Sequence, residues 1–363
     1  MEKTNTKKKV LVVNTIGMGF EGMSFVILNY LRNMPREDLQ LHITADRELC
    51  DEMREILEAL GTVHIIPMKQ EDPKGYLMGI RQILKTGFDV IHVHGNSGTM
   101  AMEAVLARLC GVKKVFVHSH STKTDHPLVN AILKYPMMLC ASRRLACSAG
   151  SGKWLYGNWK HTVLNNAIDL ARFRFDPNVR DQCRKEFGLG EAFVLGHIGN
   201  FYEPKNHSFL IDVFAEFHKL QPDSRLLLAG GGPDVDLAVE KVNRLQLQDA
   251  VIFAGRRTDV ERIYQALDVF VMPSLWEGLP LVLLEAQASG LPVLASDRIT
   301  KDVQCSRNFR YLPLGEGPAV WVEQLLQLRE APVDRTGDAA RGLRERGFDI
   351  RTEAERLHRM YVS

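Results

Sequence analysis

The sequence predicts an α/β protein built from two Rossmann-like parallel-sheet domains. Three observations lead there. Short apolar runs, each followed by a glycine-rich or polar turn and then a helical segment, recur along the chain and form two series. A polar, charged stretch at residues 170–190 separates the series and reads as a linker. At 363 residues, 45% hydrophobic and 25% charged, the chain is globular in composition and too long for one ordinary core.

In the first series, Lys9–Asn14 reads as a buried strand. It leads into Gly17-Met18-Gly19-Phe20-Glu21-Gly22 and an apolar-periodic helix through Phe25, Leu28 and Leu31. This is G-x-G-x-x-G between a strand and a helix, the pattern of a dinucleotide site, with Asp46 after Leu39–Thr44 as the candidate ribose acid. Asn14, Thr15 and Ile16 intervene, however, where that pattern sets its first glycine directly at the strand end. Two further strands follow, Asp89–His92 running into Val93, His94 and Gly95, and Lys114–Val117 running into His118, Ser119 and His120. Each puts histidine near a strand's carboxyl end, where open α/β sheets bind ligands. Residues 127–145 are apolar, flanked by Lys134, Arg143 and Arg144. They fit either a membrane-touching surface or a buried helix pair broken near Pro136. Arg144–Ser148 is a short strand, and Val163–Asp169 forms a turn.

The second series begins at Phe193. Strand Val194–Ile198 is followed by Gly199-Asn200-Phe201-Tyr202-Glu203-Pro204-Lys205-Asn206. Arg225–Ala229 ends in Gly230-Gly231-Gly232, and Val251–Ala254 in Gly255-Arg256-Arg257-Thr258-Asp259-Val260. Val269–Met272 stops at Pro273, and a loop then carries Trp276, Glu277 and Gly278. Pro280 suits a helix's first turn and Gly290 its C-terminal stop, with Glu285 between them and a strand at Pro292–Ala295 beyond. Residues 298–313 hold a weakly patterned loop and strand, and Val320–Leu328 and Phe348–Tyr361 read as helices.

The string Ser274–Ala286 resembles the E-x7-E signature of the family 4 retaining glycosyltransferases, including its Glu-Gly-x-Pro core and the Gly-x-Pro-Val strand after the helix. Val163–Asp169 resembles the family's P-N-G-x-D turn, with Asn165 and Ala167 replacing Pro and Gly as in its capsule and exopolysaccharide branch. The resemblance runs from about residue 10 to the end and is densest at 193–297. It implies a GT-B fold, two Rossmann-like domains facing a cleft. The expected domains are 1–170 on the acceptor side and 171–345 binding the nucleotide-sugar, with helix 346–363 packing back on the first. It also implies roles for particular residues. His120, with His118 as the neighbouring register, contacts the donor sugar. Lys205 clamps the donor diphosphate together with the backbone at Gly278 and Leu279. Glu277 orients the sugar and Glu285 holds the ribose diol. Gly19 and Gly22 let the backbone approach donor or acceptor. Asn200 stands where the family carries an arginine, so one cation of the clamp is absent or comes from Arg256 or Arg257, whose backbone lies beside the base.

The activity so implied moves a sugar from a nucleotide-sugar, a UDP-sugar above all, to a glycan or polyprenyl-diphosphate-linked acceptor. The resemblance implies a metal-independent transfer, so no metal or other cofactor is expected. A net charge of +2 argues against a nucleic-acid binder. Residues 1–175 carry 23 Lys and Arg against 16 Asp and Glu, a charge of +7 that suits an anionic partner or membrane face; the rest carries −5. Six scattered cysteines without C-x-x-C suggest reduced thiols and a cytoplasmic protein, peripheral at most to the inner membrane face. Three other readings stay open: a nucleotide-sugar epimerase of the same fold, a non-catalytic binding partner of another transferase, and a nicotinamide dehydrogenase using the glycine fingerprint.

Overall fold

A computed structural model describes residues 7–19, 22–46, 48–124 and 126–363. The chain forms two compact units, Met1–Ala167 with Asp349–Ser363, and Ile168–Phe348.

The first unit holds a parallel sheet of β1 (Lys8–Asn14), β2 (Leu39–Ala45), β3 (Thr62–Ile65), β4 (Val90–Gly95), β5 (Lys114–Ser119), β6 (Arg143–Ala146) and β7 (Thr162–Val163), in the order β3-β2-β1-β4-β5-β6-β7. The second holds β8 (Phe193–Ile198), β9 (Ser224–Ala229), β10 (Val251–Gly255), β11 (Val269–Met272), β12 (Val293–Ser296) and β13 (Phe309–Leu312), in the order β10-β9-β8-β11-β12-β13. In both, the order reverses beside the first strand, which is the doubly wound arrangement. Both faces of such a sheet are covered, so its strands are continuous apolar runs. Leu11, Val13, Ile91, Val93, Val115 and Val117 fill one side of the first sheet with Ile80, Ala104 and Met137. Tyr361, from the terminal helix Ile350–Val362, joins the other side.

Several expectations change. His94 and His118, expected just past the ends of their strands, lie inside them. Both strands continue, to Gly95 and Ser119, because pairing with β1 and β6 satisfies their backbones while apolar and histidine side chains alternate between faces. Residues 170–190 are not a linker. They contain the helix Pro177–Glu186, capped by the Asp176 carboxylate, whose Arg180 and Arg184 reach Asp268 at 2.6 and 3.4 Å. Charged residues here are anchors, because Asp268 also accepts from the Val194 N–H at the start of β8. The stretch from Pro127 is one helix to Cys140 with Pro136 inside it, and not a buried pair. Leu128, Ile132 and Leu139 are 80%, 71% and 73% exposed.

Candidate active site

In the second unit, four loops at the carboxyl ends of adjacent strands are bonded to one another. The Gly199 N–H donates to Ala229 O, Phe201 N–H to Gly231 O, and Gly230 N–H to Gly255 O. Glycine is required at 230, where φ is +151° and a Cβ would lie 1.9 Å from the Gly199 carbonyl oxygen. On the other side, the Leu275 N–H donates to Pro204 O at 2.8 Å. Asn206 sits in the left-handed region with φ 56°, and its amide donates to Pro273 O at 3.2 Å. Asparagine tolerates that conformation better than most residues, which accounts for Asn following Lys205. The two contacts tie the β8 loop to the β11 loop.

This tie brings Lys205 and Glu277 together. The Lys205 ammonium donates to Glu277 Oε1 at 2.6 Å, and both side chains are largely shielded, at 22% and 14% exposure. Gly278 is exposed, with open space where its Cβ would be, and Leu279 is half-buried. Pro280 then precedes the helix Leu281–Ala288, whose first N–H groups lack helical acceptors. Gly290, at φ +72°, follows its end as expected. Glu285 lies one turn inside the helix. It accepts from the Tyr264 hydroxyl at 2.8 Å, and burial pushes its carboxyl up to about 7 although Tyr264 pulls the other way. Tyr264 carries no motif and was invisible in the sequence; only the packing of the helix Val260–Ala266 against the helix Leu281–Ala288 reveals it.

The expected phosphate clamp is uneven. Asn200 is exposed on the β8 loop. Arg257 cannot replace the missing charge, because it is already bound to Asp259 at 2.8 Å and Glu186 at 2.9 Å. Arg256 is exposed, has no ion pair among the described residues, and lies over Gly231, where a Cβ would meet its Nε at 2.6 Å. Of the two arginines, only Arg256 is available to a ligand.

In the first unit, the glycine loop is held by Asp46. Its carboxylate accepts from the Met18 and Glu48 N–H groups, and it is buried, so it is not a ribose acid. Gly17, at φ +88°, needs to be glycine because a Cβ would lie 2.5 Å from Asp46 Oδ2. Gly19 and Gly22 have open space at that position, and the Phe20 and Glu21 between them lie outside the described residues. His118 is 1% exposed inside β5, whereas His120, just past the strand, is half-buried. His120 Nε2 shares a hydrogen bond with His94 Nδ1 at 2.9 Å, and burial lowers its pKa to about 3. It is therefore a neutral imidazole that supplies no charge, with Nε2 engaged by His94 and Nδ1 buried without a partner. The E-x7-E pair and His120 thus fall in different units.

Comparison with known proteins agrees with this arrangement. The family described as "Glycosyl transferases group 1" matches residues 192–330. The putative glycosyltransferase EpsF of Bacillus subtilis is 30% identical over 98% of this chain and 97% of its own length. The Escherichia coli protein named UDP-Gal:alpha-D-GlcNAc-diphosphoundecaprenol alpha-1,3-galactosyltransferase is 29% identical over 82% of this chain and 81% of its own. Among solved structures, Anabaena HepE in complex with UDP and glucose superposes with a TM-score of 0.76 at 18% identity, covering 98% of this chain and 100% of that one. That likeness establishes the two-domain GT-B fold. The chain therefore belongs to the group 1 glycosyltransferases, of family 4-like GT-B type, and is a transferase enzyme.

Proposed function

We propose that the enzyme moves a sugar from a UDP-sugar, with retention, to a lipid-linked saccharide during surface polysaccharide synthesis. The observation that carries this reading is the Lys205–Glu277 pair at 2.6 Å, beside the open Gly278 and the start of the Leu281–Ala288 helix. Breaking the anomeric bond leaves negative charge on the diphosphate. Lys205, the exposed Arg256 and the backbone at Gly278 and Leu279 supply the opposing positive potential, so no metal is needed for this step. Glu277 accepts hydrogen bonds from sugar hydroxyls and orients the ring. Glu285 accepts from the ribose diol, with Tyr264 fixing its second oxygen. His120 meets the sugar as a neutral hydrogen-bonding group, and Gly19 and Gly22 admit a substrate close to the backbone. With no carboxylate assigned as nucleophile, the acceptor attacks from the face the diphosphate leaves.

UDP in the Anabaena structure and the UDP-galactose donor and diphosphoundecaprenol acceptor in the Escherichia coli relative's name favour this substrate class. The exposed stripe of Leu128, Ile132, Tyr135 and Leu139, at helical spacing beside Lys134, suits insertion into an anionic membrane face that carries such an acceptor. No described helix is long and apolar enough to cross a membrane.

Calorimetric titration with UDP, GDP, ADP and NAD tests the nucleotide, with UDP expected to bind tightest. Turnover with a lipid-linked acceptor, followed by NMR of the product's anomeric centre, tests the rest. Inversion would overturn retention, and donor turnover without acceptor would favour an epimerase.

A further inference from the structure

We propose that His92, His94 and His118 form a binding site for one first-row divalent cation of the zinc class, within the first unit and outside the Lys205–Glu277 site. The side chains converge because β4 pairs with β5 in the register His94↔His118, and His92 lies two residues back on the same face. The ring centroids of His92 and His94 are 4.0 Å apart, and those of His118 lie 5.4 and 5.1 Å from them. All three residues are buried, and one nitrogen from each lies within 4.8 Å of the others.

The outer hydrogen bonds point the same way. His92 Nδ1 is bound to the Tyr361 hydroxyl at 2.6 Å, and His94 Nδ1 to His120 Nε2 at 2.9 Å. Histidines that hold metals usually engage one nitrogen in such a contact, which fixes the ring and leaves the other nitrogen as the ligand. His92 Nε2 and both nitrogens of His118 are buried without a hydrogen-bond partner. Each buried polar atom left in that state costs about 1–3 kcal/mol, and a shared cation would satisfy one nitrogen of each ring. Zinc takes imidazole nitrogens at about 2.0–2.1 Å in tetrahedral geometry. A bound cation would draw one nitrogen of each ring in from their present separations of up to 4.8 Å, with a water as the fourth ligand. The cation would join β4 to β5 and, through Tyr361, to the terminal helix.

The test uses the untagged full-length protein, stripped with a chelator. Zinc is titrated calorimetrically, and cobalt is followed by its visible absorption. The expected result is one ion per chain, intense four-coordinate cobalt bands and a raised Tm. Tyr361→Phe should weaken binding ~10–100-fold by releasing the His92 ring. His118→Leu should abolish stoichiometric uptake, while His126→Ala, on an exposed histidine, should leave it unchanged. Wild-type protein that takes up neither metal stoichiometrically overturns the proposal without reference to any variant. So does a His118→Leu protein that binds as tightly as wild type.

Discussion

Lys205 Nζ lies 2.6 Å from Glu277 Oε1, so the ammonium of the β8 loop and the carboxylate of the β11 loop hold each other. A diphosphate arriving there competes with Glu277 for Lys205, and a sugar hydroxyl competes with Lys205 for Glu277. Glu277→Gln should therefore separate binding from turnover. Losing an ion pair worth about 1 kcal/mol frees the lysine and should tighten UDP binding about three- to tenfold. Loss of the sugar's orienting acceptor should lower kcat ~100-fold. Calorimetry and steady-state kinetics check both arms, and an unchanged kcat would remove Glu277 from the site.

Glu285 predicts a pH dependence. Its folded-state pKa is about 7 against an ordinary 4.5, chiefly because it is buried. Between those values the folded chain holds the proton more tightly than the unfolded one. The stability of the ligand-free protein should therefore fall as pH rises from about 4.5 to 7, then level off. Ribose hydroxyls donate best to the ionised carboxylate, so UDP affinity should rise over the upper part of that range with release of a proton. Titration at pH 6.5 in buffers of different ionisation enthalpy measures that proton. Glu285→Gln should abolish it.

Tyr264→Phe should weaken UDP by about 1 kcal/mol, roughly fivefold, and move the affinity transition to higher pH, because the hydroxyl that stabilises the Glu285 anion is gone. If the transition stays where it is, the Tyr264 bond does not govern Glu285.

The arginines should divide sharply. Arg256→Ala should weaken UDP about tenfold. Arg257→Ala should leave UDP affinity within about twofold and cost under ~1 kcal/mol of stability, since its charge is committed to Glu186 and Asp259. Asn200→Arg should bind UDP at least as tightly as wild type. A UDP titration of the three variants reads all of these, and equal losses at 256 and 257 would refute the division.

Replacing Leu128, Ile132 and Leu139 together by serine should abolish co-sedimentation with vesicles rich in anionic lipid. Activity toward a soluble acceptor analogue should persist, because these side chains face outward. Equal sedimentation of variant and wild type would exclude this helix as the contact.

The legible part of the sequence was the part governed by local pattern. Apolar runs ended by glycine or proline gave β8, β9 and β11 nearly to the residue, and Gly290 marked its helix end. The end of β4 reads short in the sequence, at His92, because His94 breaks the apolar run, and only pairing on both sides keeps the strand extended to Gly95. Residues 177–186 misled because their arginines looked solvated, while their acceptor Asp268 lies more than eighty residues away. In the candidate site, the types Lys205, Glu277 and Glu285 were readable. The direct contact of the first two and the Tyr264 bond to the third depend on which strands lie side by side.

The first unit is discontinuous: its last helix, Ile350–Val362, follows all of residues 168–348. During synthesis at about 5–20 residues per second, the second unit's whole length emerges before that helix does, an interval of roughly 10–35 s. Until then His92 lacks its Tyr361 partner, and the face that Tyr361 covers is open to solvent. The nascent first unit is thus the more exposed to chaperones and proteases, although its strands are made first.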